Sequence, residues 1–142
     1  MSDSFDLQRF VSAQDDGATY TRALAELRAG AKRSHWMWFV FPQLSGLGSS
    51  PAARHFAISG LAEARAYLAH PVLGPRLVES ARALTLRSGR TAEQVLGSVD
   101  AMKLRSSMTL FAAAAPDDPV FAAVLDQYFA GEPDEATTSR LR

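Results

Sequence analysis

The sequence has no cysteine, which removes disulfides, thiolate metal sites and cysteine nucleophiles together and fits a reducing compartment. Histidine is nearly as scarce. His35, His55 and His70 have no metal-ligand spacing and no His-x-x-x-His pair exists, so neither a metal nor a cofactor is expected. Long hydrophobic runs are missing too. The strongest, Trp36 to Phe41, spans six residues, against the roughly 18 to 20 that a membrane-spanning helix needs. The start, Met1-Ser2-Asp3-Ser4-Phe5-Asp6, is acidic and polar where a secretory signal is basic and then apolar. A cytoplasmic protein without membrane attachment is the expectation. Excess charge is also absent, 15 Lys+Arg balancing 15 Asp+Glu. That balance argues against long nucleic acid as a partner and leaves room for a small anionic ligand. Nothing names a protein partner.

What is present points to helices. A chain of 142 residues holds one domain with its own core, and 25 alanines suit closely packed helices. The expected fold is mainly α, a compact single-domain array of about six to eight helices over residues 1–142. After a short first segment with Leu7, Phe10 and Val11, Asp15-Asp16-Gly17 marks a turn. Tyr20, Leu24, Leu27 and Ala31 then recur at helical spacing, with Gly30 as a stop. Ser59 is placed to cap a helix carrying Leu61, Ala64, Tyr67 and Leu68 that ends near His70-Pro71. Leu73, Leu77, Ala81 and Leu84 form the next stripe. Thr91-Ala92-Glu93-Gln94 reads as a capping box closed by Gly97. Asp100 is read as the cap of a helix with Leu104, Met108, Phe111 and Ala115 on one face. Asp118-Pro119 starts the helix of Val120, Val124, Leu125 and Phe129, with Gly131 just past its end.

One segment resists periodicity. Ser34 to Gln43 is apolar at nearly every central position, so it must be buried nearly all round, and helix and strand both remain open for residues 35–41. A helix ending before Pro42 is favoured, because no second segment offers a strand partner.

Two constellations could carry chemistry. The first joins Lys32, Arg33 and His35 to Trp36 and Trp38, bordered by Gln43. Cations hold phosphate, indoles stack on bases, and His35 is the one candidate catalytic group because imidazole transfers protons near neutral pH. The plainer reading makes the tryptophans core and the cations the solvated end of the preceding helix. The second constellation is Lys103-Leu104-Arg105-Ser106-Ser107-Met108-Thr109, where Lys103, Arg105 and Ser107 flank a buried stripe. Three hydroxyl residues inside a helix imply either a polar pocket wall or hydroxyls bonded back to helix carbonyls. A third, weaker feature is Gly46-Leu47-Gly48-Ser49-Ser50-Pro51, a loop leading into a helix and lacking the fixed spacing of a phosphate-binding loop.

Lys32 to Gln43, Leu47-Gly48, His70-Pro71-Val72-Leu73-Gly74 and Lys103 to Phe111 together resemble the bacterial domain-of-unknown-function 1810 family, sometimes mislabelled calpastatin. The likeness covers almost the whole chain. It implies a small, mainly helical, single-domain protein and brings no established reaction. Calpastatin itself is long and disordered, unlike this globular composition. By motif order alone the chain is also distantly similar to glycosidases that remove ADP-ribose from guanine. Ser34-His35 stands where those carry a Glu-His pair, and Met108 falls where they have a Met-containing helix. The missing acid matters because an oxocarbenium-like state calls for a carboxylate. The expected function is therefore binding of a small nucleotide-like or phosphate-bearing ligand, with an N-glycosidase and a non-enzymatic protein-interaction module as alternatives.

Overall fold

In the computed structural model, which describes residues 3–141, helix follows helix with short connections. Residues 1, 2 and 142 of the expected single domain lie outside the described residues. Among the described residues, seven helices have seven residues or more: α1 (Gln8–Asp15), α2 (Thr19–Ala29), α5 (Leu61–Ala69), α6 (Leu73–Thr85), α8 (Ser98–Ala114), α9 (Pro119–Phe129) and α10 (Glu135–Leu141). Three are single turns: α3 (Met37–Val40), α4 (Pro51–His55) and α7 (Ala92–Leu96). The protein is mainly α, as composition and periodicity predict, and none of its described helices is long and apolar enough to cross a membrane.

Local chemistry explains most boundaries. Gly30 ends α2 at φ 72°, a left-handed conformation that costs glycine little. Thr91 and Gln94 form both bonds of the capping box that opens α7. Asp118 accepts from the Val120 amide at 3.1 Å with Pro119 as first helical residue of α9. Two predicted caps are corrected. Ser59 does not cap α5: Gly60 is the N-cap residue, and Ser59 donates through N and Oγ to Glu63 Oε1 at 2.9 and 2.8 Å. Asp100 does not cap α8, which starts earlier at Ser98. Its carboxylate is drawn instead to two lysines.

α8 packs against α5, α7, α9 and α10, while α6 packs against α2, α5 and α9. The predicted stripes face inward, with Leu104, Met108 and Phe111 of α8 and Leu73, Leu77, Ala81 and Leu84 of α6 all buried. A chain of rings joins the layers. Phe10 meets Tyr67 edge-on at 5.1 Å, Tyr67 meets Phe111 at 5.4 Å, and Phe111 meets Phe121 at 5.9 Å.

The Ser34–Gln43 segment is resolved as the short helix α3 between two irregular stretches. One isolated parallel bridge, Leu44 with Ile58, closes the loop around α4. Beneath α3, Gln14 Nε2 donates to the Phe39 carbonyl at 2.7 Å and Tyr67 Oη approaches the same oxygen at 3.4 Å. These donors come from α1 and α5 and serve a carbonyl that the single turn leaves unpaired.

Candidate functional site

Glu26, near the end of α2, organises the approach to the site. Its Oε1 accepts from the Arg33 amide at 2.8 Å, the Ser34 amide at 3.1 Å and Trp36 Nε1 at 2.8 Å, and its Oε2 accepts from Ser34 Oγ at 2.7 Å. Burial pushes this carboxyl up, but the donors from Arg33, Ser34 and Trp36 outweigh it and hold the group down at about 2. An ionised buried carboxylate thus staples the 33–36 turn to α2. Sequence reading leaves Glu26 as an isolated acid because its partners lie past a helix stop.

The turn delivers Lys32 to α8. Lys32 Nζ lies 2.9 Å from Asp100 Oδ2, and Lys103 Nζ lies 3.4 Å from Asp100 Oδ1. Each ammonium also sits on an indole: Lys32 is 5.1 Å from the Trp36 ring centre and Lys103 is 4.8 Å from that of Trp38. Two lysines share one carboxylate, so the cluster keeps one net positive charge. Asp100 is the residue that brings the two predicted constellations together.

Beyond Trp38 and Lys103 opens a cleft of about 420 Å³, also walled by Gln43, Gly48, Ser106 and Asp134. The Leu44–Ile58 bridge sets Gln43, whose carbonyl accepts the Ile58 amide at 2.9 Å. Gly48 is pressed against α4, where a Cβ would come within 2.6 Å of the Ala53 Cβ. Ser50 Oγ is already engaged by the Ala53 amide at 3.1 Å as the cap of α4. On the opposite wall, Ser106 Oγ donates to Asp134 Oδ2 at 2.9 Å, and the same oxygen accepts from Thr137 N and Oγ1. Val99 and Met102 stand on the rim, 67% and 71% exposed.

The predicted residues therefore separate. Trp38, Gln43 and Lys103 line the cleft, and Lys32 stands behind them through Asp100. Trp36 is 0% exposed and bonded to Glu26, so its ring belongs to the core. Arg33 and His35 are exposed and lie outside the cleft. Arg105 points away, donating through Nε to the Glu132 carbonyl at 2.9 Å and lying over Phe129. Ser107 is 0% exposed and its Oγ has no partner, whereas Thr109 bonds back to the Arg105 carbonyl and the Ser106 hydroxyl is shared between Asp134 and the Met102 carbonyl. The one-residue offset decides this: on α8 the cleft side carries Lys103 and Ser106, a spacing of three, while Ser107 turns inward. Of the three hydroxyl residues offered as a pocket wall, Ser106 reaches the cleft, and Asp134 is a wall residue that sequence reasoning missed. Among the described residues no group of three or more metal-ligating side chains could hold an ion.

This helical array belongs to a family described as "Protein of unknown function (DUF1810)", whose model matches residues 4–141. Among solved structures it is similar to the conserved hypothetical protein Rv1873 from Mycobacterium tuberculosis, with 52% identity, 98% of each chain covered and a TM-score of 0.95. No curated protein matches the chain.

Proposed function

We propose that this protein binds a small phosphate-bearing, nucleotide-like ligand in the cleft between Trp38, Lys103 and the Gly48–Ser50 loop. The observation that supports the reading is the shared carboxylate: Lys32 and Lys103 both pair with Asp100, so Lys103 is only partly neutralised where it lines the cleft beside the Trp38 indole, while Asp134, the acid in the same wall, is occupied by Ser106 and Thr137. A phosphate would meet the Lys103 ammonium, and a flat ring would lie along Trp38. Binding is favoured over glycosidic bond cleavage. The carboxylate in the wall, Asp134, is committed through Oδ2 to Ser106 and Thr137, and His35 lies outside the cleft. The exposed Val99 and Met102 support a second reading, in which a protein segment covers the rim.

Thermal shift and titration with nucleotides, ADP-ribose and sugar phosphates test the proposal. Ligand at 100 times its dissociation constant should stabilise the protein by about 2.7 kcal/mol. Lys103→Ala should abolish the shift, Arg105→Ala should leave it intact, and product analysis with an ADP-ribosylated guanine nucleoside should find its glycosidic bond uncleaved. An equal shift in wild type and Lys103→Ala overturns the assignment to this cleft, and release of free base would restore the glycosidase reading.

A further inference from the structure

A second and larger cleft, of about 770 Å³, lies between α2, α6 and the start of α9 and shares no lining residue with the first. Its volume is in the range of small-molecule sites. Part of the wall is apolar, with Leu68, Pro75, Val78 and Leu86 among its residues, and Leu86 is 80% exposed. Three arginines, Arg28, Arg82 and Arg87, line the same space, against two carboxylates, Glu79 and Asp118.

Both carboxylates have work elsewhere. Glu79 accepts from the Tyr20 hydroxyl and reaches Arg28 only at 3.9 Å, and Asp118 caps α9. Among the described residues neither Arg82 nor Arg87 has an ion-pair partner within 4.0 Å. Arg87 Nε is buried and makes no hydrogen bond. A buried donor left without an acceptor is costly, so its position needs a reason. The surroundings are built to keep it there. Gly30 leaves the room, since a Cβ at that position would lie 2.3 Å from Arg87 Nε. The Arg87 carbonyl accepts from Gln127 Nε2 at 2.6 Å, and the Tyr128 hydroxyl lies between it, at 3.0 Å, and the Leu84 carbonyl, at 2.7 Å, both side chains coming from α9. The backbone under this guanidinium is thus fixed by α9 and its side chain is seated against α2.

From these features we infer that the α2–α6–α9 cleft is a binding site for a small amphipathic anion, its apolar body along Leu68, Val78 and Leu86 and its acidic head on Arg82 and Arg87. Guanidinium groups present paired donors that match a carboxylate or a phosphate, so either head satisfies the site. The inference stands independently of the Lys103 cleft.

Titration with octanoate, octyl phosphate, 1-octanol and inorganic phosphate tests it, with amide NMR shifts to locate binding. At least one octyl anion should bind, with shifts on residues 74–78 and 86–89, and the tighter of the two names the head group. Octanol and inorganic phosphate should each bind at least about tenfold more weakly, as should octanoate or octyl phosphate to the Arg82→Ala/Arg87→Ala protein. Should the double variant not fold, Arg82→Glu, at an exposed position, is expected to weaken the anions and not octanol. Equal binding of octanol and the anions, unchanged affinity in the arginine variants, or shifts confined to the Trp38–Lys103 cleft would overturn the site.

Discussion

At the scale of single residues, Glu26 is a buried hub. Four donors converge on one carboxylate, and removing it would leave two amides, a hydroxyl and an indole N–H unpaired. Glu26→Ala is expected to cost about 3 kcal/mol in chemical denaturation, whereas Glu26→Gln, which keeps one acceptor oxygen and offers its amide to the Ser34 hydroxyl, should cost about half as much. The folded carboxyl titrates at about 2, below its ordinary value of 4.5. Its contribution is therefore complete above pH 4.5 and is lost as pH falls through the folded value, on the order of 3 kcal/mol in all. Wild type should lose that much more stability than Glu26→Gln between pH 5 and about 2. Parallel acid curves for the two proteins would contradict the assignment.

Elements are joined by comparable polar hubs. Arg9 of α1 donates to the carbonyls of Phe5, Asp6, His55 and Ala57 and pairs with Glu63 of α5 at 2.9 Å. It thereby fixes the start of α1 and the end of the α4 loop onto α5. Both side chains of the pair are largely shielded, so Arg9→Ala leaves a buried carboxylate uncompensated and should cost about 3 to 5 kcal/mol. Substituting both partners, as Arg9→Met/Glu63→Gln, is expected to recover part of that loss. If the double variant is no more stable than Arg9→Ala, the burden lies with the four carbonyls and not with the pair.

Across the whole molecule, neutral charge hides an uneven distribution. Between Arg105 and Arg140 there are six acids and no basic residue, and several of those acids become caps or partners. Asp118 caps α9, Asp134 binds Ser106 and Thr137, and Glu132 pairs with Arg105 at 3.4 Å. Arg28, Arg82 and Arg87 line one cleft and Lys103 the other, and the two linings are separate. Stabilisation by a phosphate ligand and by an amphipathic anion should therefore add within about 0.5 kcal/mol when both are present. A clear shortfall in a combined thermal-shift experiment would mean that the two compete for one site.

Helix positions, the stop at Gly30, the capping box at Thr91 and the Asp118-Pro119 start were legible because each depends on residues within a turn or two of one another. So was the family, whose motifs run through most of the chain. Ser59 is not a cap because its N–H and hydroxyl donate to Glu63 four residues on instead of accepting from a helix amide, and Asp100 is not one because its carboxylate is taken by Lys103 and by Lys32, a partner distant in sequence. The candidate cluster around Lys32 and Trp38 was legible only as a list of suitable residue types. Which of them face a common space depended on the Asp100 bridge, on the Glu26 staple and on the register of α8, which turns Lys103 and Ser106 outward and buries Ser107. The arginine cleft was invisible, since Arg28 and Arg87 come to line one space only because α2 and α6 pack together. Short-range hydrogen bonding and periodicity determine helices within a few residues; only packing decides which side chains, far apart in sequence, share one desolvated space.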